Sequence, residues 1–139
     1  LDASALVSLL AGEAGAVEVA RAAGSGMVTA VNLAEARDQL SRATGDPARV
    51  AAALDRAIDV GLRVLACDRP LAEEAADLRA VHYDRTTAAV SLADCFAIAA
   101  ALRTGGALVS CDGVQLVVAK AVGVVPHPIP NSQGVVPEV

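Results

Sequence analysis

Three apolar runs do most to limit what this chain can become: MVTA at residues 27–30, LRVLAC at 62–67 and ALVSC at 107–111. Each has the length of a strand and is too short for a helix. Their apolar residues run on with little alternation, which marks strands covered on both faces. The segments between them carry apolar residues at helical spacing. Residues 4–11 read as a helix closed by Gly12, and residues 15–23 as a second one stopped by Gly24 and Gly26. Asn32 is expected to begin a helix running to about Ala43, and Asp46 with Pro47 supplies an N-cap and a preset first helical residue for another through Val60, closed by Gly61. Asp68 caps a helix carrying LAEEAADLRA, Ser91 caps one over 92–103, and a last helix over about 114–121 leads into a short strand, VGVV. Strands joined through helices pair in parallel, with helices on both faces. The expectation is a three-layer α/β/α domain with a short-stranded parallel central sheet.

The chain has 139 residues, enough for one domain with its own core. That domain is expected over 1–125, followed by an extended C-terminal tail over 126–139, PHPIPNSQGVVPEV, where periodicity is lost and prolines recur. With one Phe, one Tyr and no Trp, the interior must be built from Ala, Val and Leu, and packing between elements is correspondingly close. No apolar stretch reaches the roughly 20 residues needed to cross a bilayer, because Arg103 and Lys120 interrupt the longest ones. The chain reads as a cytoplasmic protein with no membrane role. Cys67, Cys95 and Cys111 share no paired spacing and are expected as small buried residues, not as a disulfide or zinc framework. A net charge of -5 gives no general attraction for polyphosphate, so a nucleic-acid partner would have to be held at a local site.

Acids recur where strands end and helices begin. Asp2 in LDASAL follows the remnant of a first strand, and Asp112 in LVSCDG follows the apolar strand ALVSC. Glu35 in NLAEAR and Asp94 in SLADC lie one turn inside helices. In parallel α/β sheets this carboxyl edge is where ligands bind. Taken singly, N-x-x-E and S-x-x-D match a capping box, and Asp2 or Asp112 matches a loop acid serving backbone donors. Together, converging carboxylates repel one another and raise one another's pKa unless a cation offsets them. A set of oxygen donors without His or Cys suits Mg²⁺ or Mn²⁺, and such an ion supports hydrolysis of a phosphodiester.

LDASAL, NLAE, SLADCFAIAAAL and LVSCD, in this order, resemble the four acidic motifs of the PIN domain, and the length resembles the VapC toxins of bacterial type II toxin-antitoxin pairs. The resemblance runs from Leu1 to about Val125. It implies an endoribonuclease dependent on Mg²⁺ or Mn²⁺, an RNA substrate, a VapB-type antitoxin partner and a homodimer. By motif, Asp2, Glu35, Asp94 and Asp112 would be the catalytic and metal-binding quartet. Ser4 and Ser110 would support the acids through hydrogen bonds, and Glu35 would bind a second ion or orient the attacking water. After Asp112 the chain has Gly113-Val114-Gln115-Leu116, where relatives often carry a basic residue and then an aromatic one. Arg37, Arg42, Arg85 and Arg103 are candidate phosphate contacts or, more simply, charges on solvated helix faces.

Three rivals stand beside this assignment. A metal-dependent phosphatase-like α/β hydrolase calls for D-x-D, and the chain offers D-A-S at Asp2. A metal-dependent adhesion domain calls for D-x-S-x-S, and position 6 is Leu. A non-catalytic PIN-like binding module would have no need to keep all four acids.

Overall fold

In the computed structural model, which describes residues 1–139, α1 (Ala3–Ala11) and α2 (Ala16–Ala23) lead into β1 (Met27–Thr29), followed by α3 (Ala30–Thr44) and α4 (Pro47–Asp59). Then come β2 (Arg63–Leu65), α5 (Arg69–His82), α6 (Leu92–Thr104), β3 (Leu108–Ser110), α7 (Gly113–Ala121) and β4 (Pro126–Pro128). The helices start where side chains can satisfy their first free N–H groups. Asp2, Thr29, Asp46, Asp68, Ser91 and Asp112 each accept a backbone N–H of the helix that follows. Each such cap is worth about 1 kcal/mol. Gly12, Gly45 and Gly105 end α1, α3 and α6 in the left-handed conformation, which costs glycine no Cβ clash.

The strands form two parallel pairs, β1 with β2 and β3 with β4. Residues 1 and 2 bridge them: the Leu1 amine donates to the Met27 carbonyl at 2.7 Å, and the Asp2 N–H donates to the Val109 carbonyl at 3.3 Å. The protein is thus α/β with parallel strands and mainly helical content. One apolar cluster joins α5, α6 and α7 with β3; another joins α1, α3 and α4 with β1. A smaller one, containing Ala5, Val19, Val109 and Ile129, fills the space among α1, α2, β3 and the end of β4.

Four sequence expectations are corrected. First, α3 begins at Ala30 with Thr29 as its cap, and Asn32 lies inside the helix, fully buried. Second, VGVV turns out of α7, with Gly123 at φ +89°, and the strand falls on Pro126–Pro128. The prolines alternate along β4, so their missing N–H groups do not interrupt the pairing. The Val125 carbonyl accepts from Leu108 and Ile129 N–H donates to Ser110, at 2.9 and 3.0 Å. Third, β2 is an outer strand with Arg63 and Val64 exposed, because nothing pairs with its far edge. Fourth, only Cys95 is buried; Cys67 is exposed in the turn after β2, and Cys111 is partly covered.

Candidate functional site

Asp2 occupies the junction between the two strand pairs and the first turn of α1. Its Oδ1 accepts from Ala5 N–H at 2.8 Å, and its Oδ2 accepts from the Ser110 hydroxyl at 2.7 Å. The Ser4 hydroxyl lies 2.9 and 2.8 Å from the two carboxylate oxygens and donates to them. Each serine is itself an acceptor: Ser4 Oγ from Cys111 N–H at 3.1 Å, Ser110 Oγ from Asp112 N–H at 2.9 Å. A continuous path of hydrogen bonds therefore runs from Asp2 through Ser110 to the backbone of Asp112. Asp2 is only 3% exposed, and that burial pushes its pKa up against the pull of the bonds from Ala5, Ser110 and Ser4.

Asp112 caps α7 through one oxygen, Oδ1, which accepts from Val114 and Gln115 N–H at 2.8 and 3.1 Å. Asp94 closes the capping box of α6: its Oδ2 accepts from Ser91 N–H at 2.7 Å while Ser91 Oγ accepts from Asp94 N–H at 3.0 Å. Each acid keeps its second oxygen free of hydrogen bonds. Glu35 differs from both. With Thr29 rather than Asn32 at the cap, Glu35 lies beyond the first turn of α3 and belongs to no capping box. Its one partner is the Gln39 amide at 3.3 Å.

These carboxylates share one electrostatic neighbourhood. Burial pushes the Glu35 pKa up, and the charges of Asp94 and Asp2 push it further. Asp94 is raised by burial first, with the Asp112 charge adding to it against the bonds from Ser91. No three His, Cys, Asp or Glu side chains close into a ready-made ligand group. A hard ion such as Mg²⁺ does not need one, since it keeps several waters and is commonly held by one or two carboxylates together with phosphate oxygens. The donors fit such an ion. They are all oxygen, they repel one another without it, and Glu35, Asp94 and Asp112 each present an uncommitted oxygen. None of the four principal clefts is lined by an acid of this group: Asp112 is exposed and Glu35 and Asp94 are partly exposed, while Asp2 is buried.

The arginines divide. Arg42 pairs with Asp38 at 2.7 Å on the exposed side of α3, and Arg103 joins α6 to α5 through Asp68 and Glu74 at 3.1 and 3.0 Å. Both are engaged with acids of the protein itself. Arg37 and Arg85 are exposed and form no ion pair. Sequence reasoning passed over two buried polar residues near the acids, Asn32 and Gln115, both fully enclosed. Gln115 had a signal, a lone polar residue in the run VQLVV. Asn32 was masked by its resemblance to a cap.

Among solved structures, the chain is similar to VapC20 of Mycobacterium tuberculosis, described as a sarcin-ricin loop cleaving toxin. The two share 25% identity with a TM-score of 0.67, over 89% of this chain and 94% of the other. No curated protein matches the sequence. The PIN-domain family model matches residues 1–121, a span that holds every helix, the first three strands and all four acids. The chain belongs to the PIN-domain family.

Proposed function

We propose that this protein is a divalent-metal-dependent endoribonuclease and the toxin of a toxin-antitoxin pair, cutting RNA at Asp2, Glu35, Asp94 and Asp112. The observation that carries it is the electrostatic coupling of four carboxylates that come from four separate places in the chain. Asp2 and Asp94 bear on Glu35, and Asp112 bears on Asp94. Capping explains where three of them sit, but it gives no reason for their mutual repulsion or for Glu35. Family membership and the likeness to a toxin that cleaves RNA support the assignment. The surface exposure of Asp112 and the partial exposure of Glu35 and Asp94 favour a polymer over a small phosphate ester, which an enclosed pocket would suit better.

Asp94 and Asp112 are the best-placed holders of Mg²⁺ or Mn²⁺, because a backbone N–H fixes one oxygen of each and leaves the other to bind. Asp2 adds negative charge beneath them and ties α1 to β3. Glu35, half-buried, with a raised pKa and one long hydrogen bond, is suited to orient a water and accept its proton. A divalent ion held there would supply a lowered pKa for the attacking water and an offset for charge on the leaving oxygen of the phosphodiester. The substrate brings its own negative charge to a protein of net charge -5, so cations are needed for encounter as well as for chemistry. The partners that complete this proposal are a VapB-type antitoxin, offering a basic side chain to the acidic rim, and a second copy of the chain as a homodimer.

The test is Asp94→Asn, assayed on RNA with Mg²⁺, with Mn²⁺ and with a chelator. The amide oxygen can still accept from Ser91 N–H, so the cap and the melting temperature should survive while metal-dependent cleavage disappears. Retained cleavage together with lost stability would reduce the acids to helix caps. Cleavage of a small phosphate ester without cleavage of RNA would favour the phosphatase-like alternative.

A further inference from the structure

We infer that Asn32 and Gln115 are positioning residues: two buried carboxamides that grip consecutive carbonyls in the first turn of α6 and set Asp94 against Glu35 and Asp112. Asn32 Nδ2 donates to the Ala93 carbonyl at 3.0 Å, and Gln115 Nε2 donates to the Asp94 carbonyl at 3.3 Å. Neither side chain has any exposed surface. The inference rests on the metal-site assignment above and deepens it.

Each carboxamide belongs to a helix that carries another acid. Asn32 lies three residues before Glu35 on α3, one turn away on the same side of the helix. Gln115 lies in the first turn of α7, and its own backbone N–H donates to Asp112 Oδ1 at 3.1 Å. One residue thus touches Asp112 with its main chain and Asp94 with its side chain. The orientation of Asn32 is fixed as well. Thr29 Oγ1 accepts from Asn32 N–H at 3.1 Å and donates to Asn32 Oδ1 at 2.5 Å, which leaves Nδ2 to face Ala93.

Such a grip matters for α6 because most of its buried surface is built from small side chains. Cys95, Ala97, Ala99, Ala100 and Ala101 pack closely but interlock little against sliding or rotation, and Phe96 and Ile98 are the only large side chains that α6 buries. Hydrogen bonds to particular carbonyls add to the register that Phe96 and Ile98 give, and they fix it at the end of the helix that carries Asp94. Packing alone does not account for Gln115. Its Oε1 is enclosed without any partner, so an apolar side chain of the same size would fill the space without that penalty. What the amide adds is its bond to Asp94.

The experiment uses Gln115→Met and Asn32→Leu in the full chain, each close to isosteric and unable to make the bond. Three quantities are read: kcat and KM on RNA, the affinity for Mn²⁺ alone by calorimetry, and the melting temperature. Loss of an outer contact of this kind should lower kcat and Mn²⁺ affinity by roughly tenfold to a hundredfold while KM stays within about twofold. Where Gln115→Met does not fold, Gln115→Asn keeps the polar group one methylene short of the carbonyl and should show the same split. Folded variants with wild-type kcat and Mn²⁺ affinity would overturn the inference, as would a lower melting temperature with kcat unchanged. Asp94→Asn run in parallel separates the two levels. If it too leaves cleavage intact, the metal-site assignment has failed; if it alone abolishes cleavage, only the positioning role has.

Discussion

The charge of Asp2 helps to raise the pKa of Glu35, yet the two acids are held in opposite ways. Asp2 is 3% exposed and takes bonds from a backbone N–H and two serine hydroxyls. Glu35 stands half-buried on the flank of α3 with one long contact from Gln39. Three donors offset part of the cost of burying the first charge, whereas the second has a single weak contact. A carboxylate wrapped in donors anchors structure, whereas one left beside other acids has its cost met only by something that arrives from solution. Glu35→Gln is therefore expected to show the largest functional loss for the least structural damage: RNA cleavage falls about a hundredfold or more, while stability is unchanged or slightly raised as repulsion from Asp94 and Asp2 disappears. Asp2→Asn should lose cleavage too, but it puts an NH₂ group against hydroxyls that now donate and costs about 1–3 kcal/mol of stability. Urea unfolding beside an RNA assay checks both, and equal stability losses in the two variants would break the contrast.

The two serines sharpen it. Ser110 is fully buried, so when Ser110→Ala removes its hydroxyl no water can take over the bond to Asp2 or the one from Asp112 N–H. That change should cost about 1–3 kcal/mol. Ser4 touches the same carboxylate but is partly exposed, and water can replace it; Ser4→Ala should cost about 1 kcal/mol or less. Urea midpoints order the pair, and a Ser4 effect as large as that of Ser110 would show that the anchor is not sealed from solvent.

What could be read from the sequence follows the same division. Helix starts at Asp46, Asp68 and Ser91, and ends at Gly12 and Gly105, were legible because capping is local chemistry written in adjacent residues. Asp112 was legible because strand β3 and the acid are neighbours in the chain, whereas Leu1 forms no strand ahead of Asp2, and Asp2 is instead the N-cap of α1. β4 was not, since two prolines argue against a strand until it is known that they point away from its single partner. Asn32 was misread for a related reason. Thr29 and Asn32 are both good caps, and what separates them is a contact to Ala93, 61 residues away. Arg103 could be read as a phosphate contact or as a solvated helix charge, and its actual partners, Asp68 at the cap of α5 and Glu74 within it, lie 35 and 29 residues away. Each miss lies where a distant segment decides the role of a side chain, which local pattern cannot contain.

The smallest expected effect is also the most diagnostic, because its sign runs against ordinary acid denaturation. Glu35 has a raised pKa in the folded protein, so over the window from the usual glutamate range upward the folded state binds more protons than the unfolded one. Stability from this group is present below that range and is lost as pH rises through the raised value. Asp94 is raised as well and pulls in the same direction. Partial exposure and counterions screen the effect, which should amount to about 1–2 °C in Tm. The clean measurement is the Tm of the wild type minus that of Glu35→Gln at a series of pH values from about 4 to about 7 at low salt. The difference should fall as pH rises. Mn²⁺ should reverse the slope, because the ion binds the deprotonated carboxylates and stabilises the folded state by mass action. A difference that rises with pH without metal would mean that Glu35 is stabilised by a partner other than Gln39, and the contrast with Asp2 would be lost.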